Sequence, residues 1–231
     1  MAAELALVRG IDDTKATLAR WNADPWPVLR GWLLGALAIT VALLATVAAI
    51  ASVSTPDATP ILLPGLNAPA DLAAVAEVLR RNALVLALHG FACVAGFIAG
   101  SSLPTEAERY TGLLRRVHDA AAPLAIAFVG AATAFSLATQ AYVLGGAAST
   151  LADQGGMDPA MLIVGLLPHA LPELVALFLP LAAWMIASRR RTWHELLAAT
   201  IATCAIAVPV LVTAAFLEVY VSPDVILLLR G

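Results

Sequence analysis

Five side chains able to do chemistry sit inside long apolar stretches: His89, Gln140, His169, Glu173 and Glu218. Two of them share LPHALPEL, residues 167–174, together with Pro168 and Pro172. His169 and Glu173 are four apart, so on a helix they lie on one face and can pair directly. An ionisable group at a bilayer centre costs about 2.5–3.5 kcal/mol and usually faces a partner inside a helix bundle. Three chemistries fit. The pair could be a satisfied structural contact, or part of a site for an ion, a proton or a ligand. Alternatively His89, His169 and Glu173 form a weak candidate metal set, with one position left for water. HExxH, a Ser/His/Asp order and a phosphate-binding loop are all missing from the sequence. No cofactor is therefore expected, and an enzyme is disfavoured.

Proline shapes the same region. Pro168 and Pro172 lack N–H groups, which strips helical donors from the carbonyls of Val164 and Pro168. The residues before them, Leu167 and Leu171, are pushed away from the α region. A kinked or broken helix is predicted here, of the kind that often lines transporter sites. Pro180 and Pro209 are predicted to kink their own helices.

These residues need a scaffold, and composition says which. Hydrophobic residues make up 61% of the 231 and charged residues 13%, with mean hydropathy +0.89. Soluble domains hold roughly 45–50% apolar and about 25% charged residues. A net charge of −3 argues against nucleic acid as a partner. The fold class is therefore an all-α polytopic bundle in a lipid bilayer. Segments of ~20 apolar residues span such a bilayer, and five qualify: about 32–53, 83–103, 121–144, 160–187 and 195–218. Residues 1–31 form a cytoplasmic amphipathic segment and 32–231 the transmembrane domain. His89 then lies about 9 Å deep and His169 about 14 Å at 1.5 Å per residue, levels at which Gln140 and Glu218 could join them in one outward-facing cluster.

Lysine and arginine set the orientation. Ten of the thirteen fall before the first span or in the loops following spans two and four. The positive-inside rule puts the N-terminus in the cytoplasm and the C-terminus outside. Trp21, Trp26, Trp32, Trp184 and Trp193 are expected at the same interface. No cleavable signal peptide is expected, since no short apolar run with a small-residue cleavage site opens the chain.

Between spans, an N-terminal helix is expected to start after Gly10 with Asp12 as cap and to stop at Asp24 and Pro25. Residues 54–69 and 145–159 read as loops. Asp71 opens a helix that runs into span two, and 105–118 looks like a cytoplasmic helix. Gly96 and Gly100, preceded by Ala92, bring helix backbones close, either within the chain or across a homodimer. Gly31 and Gly35 repeat the spacing. Cys93 and Cys204 read as small buried hydrophobes.

Three stretches in order resemble one family. LPHALPEL is similar to the PHGxxELPA signature of the stage II sporulation protein M (DUF95) family. RNALVLALHGFACVAG (81–96) resembles its NN-x-x-VA…G-x-x-x-G span, with Asn82 as the asparagine. AAFLEVYVSP (214–223) resembles its closing AA-x-IEAFVTP, with Glu218 and Pro223 matched. Ala170 replaces the signature glycine, Val175 its last proline, and TQAYVLGG (139–146) stands where an Asn-Gly is usual. These departures mark a divergent branch. The resemblance implies a multipass protein of the bacterial cytoplasmic membrane. It further implies a scaffold for wall-modifying or other envelope proteins, as in the member that anchors peptidoglycan-cleaving enzymes during engulfment; a role in sporulation is not implied for the whole family. A carrier or channel built on the His/Glu cluster is the rival expectation, and a metalloenzyme the third.

Overall fold

A computed structural model describes residues 6–102 and 110–230, without the side chains of 6–9, 102, 118, 119 and 122. The chain is helical: α1 (Ala6–Ala23), α2 (Trp26–Val53), α3 (Leu72–Phe97), α4 (Gly112–Gln154), α5 (Pro159–Arg190), α6 (Leu196–Tyr220) and α7 (Ser222–Arg230). A π-helical turn, Ile98–Ser102, extends α3, and a 3-10 turn, Trp193–Glu195, precedes α6. Among the described residues only an isolated bridge, Pro64 to Ala68, has β character. Five helices, α2 to α6, are long and apolar enough to cross a membrane. This is the architecture that apolar surroundings enforce, because each helix satisfies its own backbone.

Local signals explain the boundaries. The Oδ1 of Asp71 accepts the Ala74 N–H at 2.8 Å and starts α3, as its position before the apolar run suggested. Asp24 and Pro25 end α1 as expected. Its start is earlier than expected, and Asp12 lies inside the helix rather than capping it. Gly10 is a packing residue instead: a Cβ there would stand 2.7 Å from the Phe97 ring.

The expected loop over 145–159 is mostly helix, since α4 continues to Gln154. Gly145 packs against Ile50, and the added turns hold the 54–61 loop. Ser149 Oγ donates to the Ser54 carbonyl at 2.9 Å, and Thr150 Oγ1 accepts the Asp57 N–H at 3.0 Å. Gln154 accepts the Ile61 N–H and donates to the Thr59 carbonyl. The turn comes at Gly156, whose φ is +63°. Its N–H reaches Asp153 and that of Met157 reaches Ala152, the paired bonds of a Schellman cap. Of the expected 105–118 helix, 105–109 lie outside the described residues and 112–118 are the first turns of α4.

The fourth span is one unbroken helix through Pro168, Pro172 and Pro180. Of the expected kink or break, the break is absent. α6 likewise runs through Pro209.

The chain divides into two units. The first takes residues 1–36, 86–133 and 178–206; the second takes 37–85, 134–177 and 207–231. All five spanning helices contribute to both. The first unit packs around Cys93, Phe97, Phe178, Leu179 and Leu196. It holds all five tryptophans and ten of the thirteen basic residues. Trp32 and Trp184 are buried, Trp21 stacks edge-on against Trp32 at 5.1 Å, and Trp26 alone of the five is mostly exposed. Trp32 and Trp184 therefore also serve in core packing. The second unit is built on Val75, Val78, Ala215 and Val219, with α7 seated through Ile226. It carries three basic and eight acidic residues.

Candidate polar site in the spanning helices

The second unit gathers three of the sequence candidates, though not as a single pair. His169, buried on α5, lies with Nδ1 2.6 Å from Ser222 Oγ at the start of α7. Ser222 is 2% exposed, so the contact is buried. The expected His169–Glu173 pair is replaced by this one. Glu173, a turn further on, is acted on by Glu218 of α6, Asn82 of α3 and Arg81. Asn82 is 7% exposed. Its amide approaches Glu173, yet Asn82 Nδ2 and Glu173 Oε2 both lack a hydrogen-bond partner. Arg81, whose Nε is 3.7 Å from Glu77, is the nearby positive charge. The result is two carboxyl groups, one amide and one guanidinium contributed by α3, α5 and α6, with the His169–Ser222 contact a turn away on α5.

Two candidates have other partners, Gln140 within the same unit and His89 in the first. Gln140 is used within α4, where its Nε2 donates to Ser136 Oγ at 3.1 Å. His89 belongs to the first unit, where its ring packs on Phe178 with centroids 5.6 Å apart. No group of three or more His, Cys, Asp or Glu among the described residues could hold a metal ion. The proposed set of His89, His169 and Glu173 is therefore not assembled.

Gly96 and Gly100 do bring helices together, and within the chain. A Cβ at Gly96 would meet Trp184 Nε1 at 2.7 Å and Leu196 at 2.9 Å, and one at Gly100 would strike the Trp193 indole. Both glycines are covered by tryptophan, so they are not the open face of a dimer. Gly35 similarly receives Ala182 at 3.1 Å. Cys93 and Cys204 are free thiols, and Cys93 donates to the Pro180 carbonyl at 3.1 Å.

Ser222 went unnoticed in the sequence. A helix-start signal was present in SPD followed by VILLLR: proline in the first turn, aspartate behind it and arginine at the end. An open groove of about 810 Å³, lined by Asp57, Thr59, Tyr142 and Thr150 among others, lies on the same unit. The Asp57 carboxyl there is held below its ordinary range by the Thr59 N–H and hydroxyl.

Residues 120–223 match the family model for Stage II sporulation protein M. That stretch, a little under half of the chain, is similar to the stage II sporulation protein M family. The matched segment holds His169, Glu173, Glu218 and Ser222, while Asn82 and His89 precede it. Comparison with curated proteins and with solved structures finds no match. The chain thus has five helices long and apolar enough to cross a membrane, and its polar cluster lies mainly in the segment that matches the family model.

Proposed function

We propose that this protein is a non-enzymatic scaffold that assembles with other membrane proteins in cell-envelope remodelling. The observation behind this is α4. Its most apolar window is 6% buried in the chain, whereas the other four spans bury 22–39% of theirs. A helix so poorly packed against its own chain is suited to packing against another. The distribution of basic residues supports a bacterial cytoplasmic-membrane location with the N-terminus inside. Recovery of the intact protein from native membranes in mild detergent tests the reading. A stoichiometric partner seated on α4, another envelope protein or a second copy of this chain, lost when Phe128 and Phe135 are both changed to Ala, is expected. Recovery of the single chain from both would refute it.

A second reading, a cation or proton carrier, is favoured by the unpartnered Glu173 Oε2 and Asn82 Nδ2. It requires flux in liposomes that Glu173→Gln alters; no flux from the wild type eliminates it.

A further inference from the structure

We infer that the outward face of α4 is a parallel helix-pairing seam for a second copy of this chain. The inference rests on the reading of α4 as an assembly surface and names its occupant. From 121 to 142 the helix repeats every seven residues: Ala121, Phe128, Phe135 and Tyr142 in one row, Leu124, Ala131 and Ala138 in the other. Apolar residues in two such rows are the pattern of paired helices with a left-handed supercoil. The rows point away from the chain. Leu124, Phe128, Phe135 and Tyr142 are 69–75% exposed, and Ala131 and Ala138 are exposed between them. The opposite face is committed inward, where Gly130 lies against Trp184 in the first unit and Gly145 against Ile50 in the second.

The face is complementary to itself. In a parallel pair, a side chain of the first row inserts among four residues of the partner helix. For Phe135 those are the partner positions of Ala131, Ala134, Phe135 and Ala138. Three of the four are alanine, leaving depth for a ring. No charge interrupts α4 between Asp119 and Asp153. The hydroxyl of Thr139, at the margin of the face, donates to the Phe135 carbonyl at 2.9 Å, so pairing strands no donor. Copies inserted the same way into a bilayer related by a two-fold axis along its normal present their α4 helices in parallel.

The area suffices. A fully buried aromatic side chain covers 150–250 Å², so six rings about three-quarters exposed supply on the order of 900 Å². The leucines and alanines carry the total past the roughly 1,000 Å² of a specific interface. Alanine offers lipid little, but it lets two backbones approach.

The test uses the full chain in its native membrane, with a benzophenone amino acid at position 128 or 135 and, as control, at Phe91 of α3, which is 71% exposed. Irradiation is expected to give a covalent dimer of the 23.8 kDa chain at 128 and 135 and not at 91. Adding Ala131→Leu, which fills the receiving hole at an exposed position, should lower dimer yield roughly tenfold or more without moving the unfolding midpoint of the monomer. A dimer at all three positions, or one indifferent to Ala131→Leu, overturns the inference. Adducts to a different protein overturn it while leaving the scaffold reading standing. Adducts to lipid alone at 128 and 135 overturn both.

Discussion

Replacing Ser222 by alanine removes one oxygen and leaves His169 Nδ1 without its 2.6 Å partner. In a water-soluble core, stranding a buried polar group costs about 1–3 kcal/mol. Hydrogen bonds between spanning helices are worth less, averaging about 0.6 and reaching about 1.7 kcal/mol, because the unfolded helices also find partners in the membrane. His169 is 8% and Ser222 2% exposed, so relief by water is small and the upper part of the membrane range applies. The expected coupling is about 1 kcal/mol. It is measured by reversible unfolding in bicelles of wild type, Ser222→Ala, His169→Ala and the double variant. Cavity effects of each single change cancel in such a cycle. Effects that add within about 0.3–0.5 kcal/mol would refute the claim that α5 and α7 are held together by this contact. A parallel cycle of His169→Ala with Glu173→Gln is expected to be additive within that margin, because the two side chains, though four residues apart, have different partners. Strong coupling there would restore the direct pair.

Two glycines provide an opposed pair of outcomes. Gly96→Ala should cost about 1–3 kcal/mol, since its methyl meets Trp184 and Leu196, both buried. Gly146→Ala meets nothing within 4 Å and should be neutral or stabilising by up to about 1 kcal/mol; unfolding midpoints and tryptophan emission distinguish them, and equal effects would contradict the packing. In the 54–61 loop, Asp57 has a folded-state pKa below its ordinary 3.8. Its stabilising contribution is therefore full above the unfolded value and is lost as pH falls through the folded one. Hydrogen exchange at the Thr59 amide, 2.8 Å from Asp57 Oδ1, should speed up below pH 3.8, and Asp57→Asn should remove that step. A step unchanged in Asp57→Asn would assign it to another group.

The spans were legible because the bilayer allows one backbone solution for a long apolar run. Asp71 and the Asp24–Pro25 stop were legible because each acts on its neighbours. What escaped has longer-range causes. Gly145 and Gly146 look like a loop in sequence, but Ile50 and the 54–61 segment claim that surface. Pro168 and Pro172 look like a break, yet α5 continues through both. His169 was visible as a buried polar group, but its partner is 53 residues away, on a helix too short to register as a span. Glu173 and Glu218 were both expected in the polar cluster, and Asn82 was marked by its family motif. No local pattern could assign Arg81 to them.

The division of the spans has a consequence for the order of events during synthesis. Each unit is assembled from three separated pieces of chain, in alternation, and the first still lacks its third piece until residues 178–206 are made. The second needs residues beyond 207. Neither can close while the ribosome is still working on α4 or the first half of α5. A chain stopped before α6 leaves two unfinished cores, not one finished and one missing.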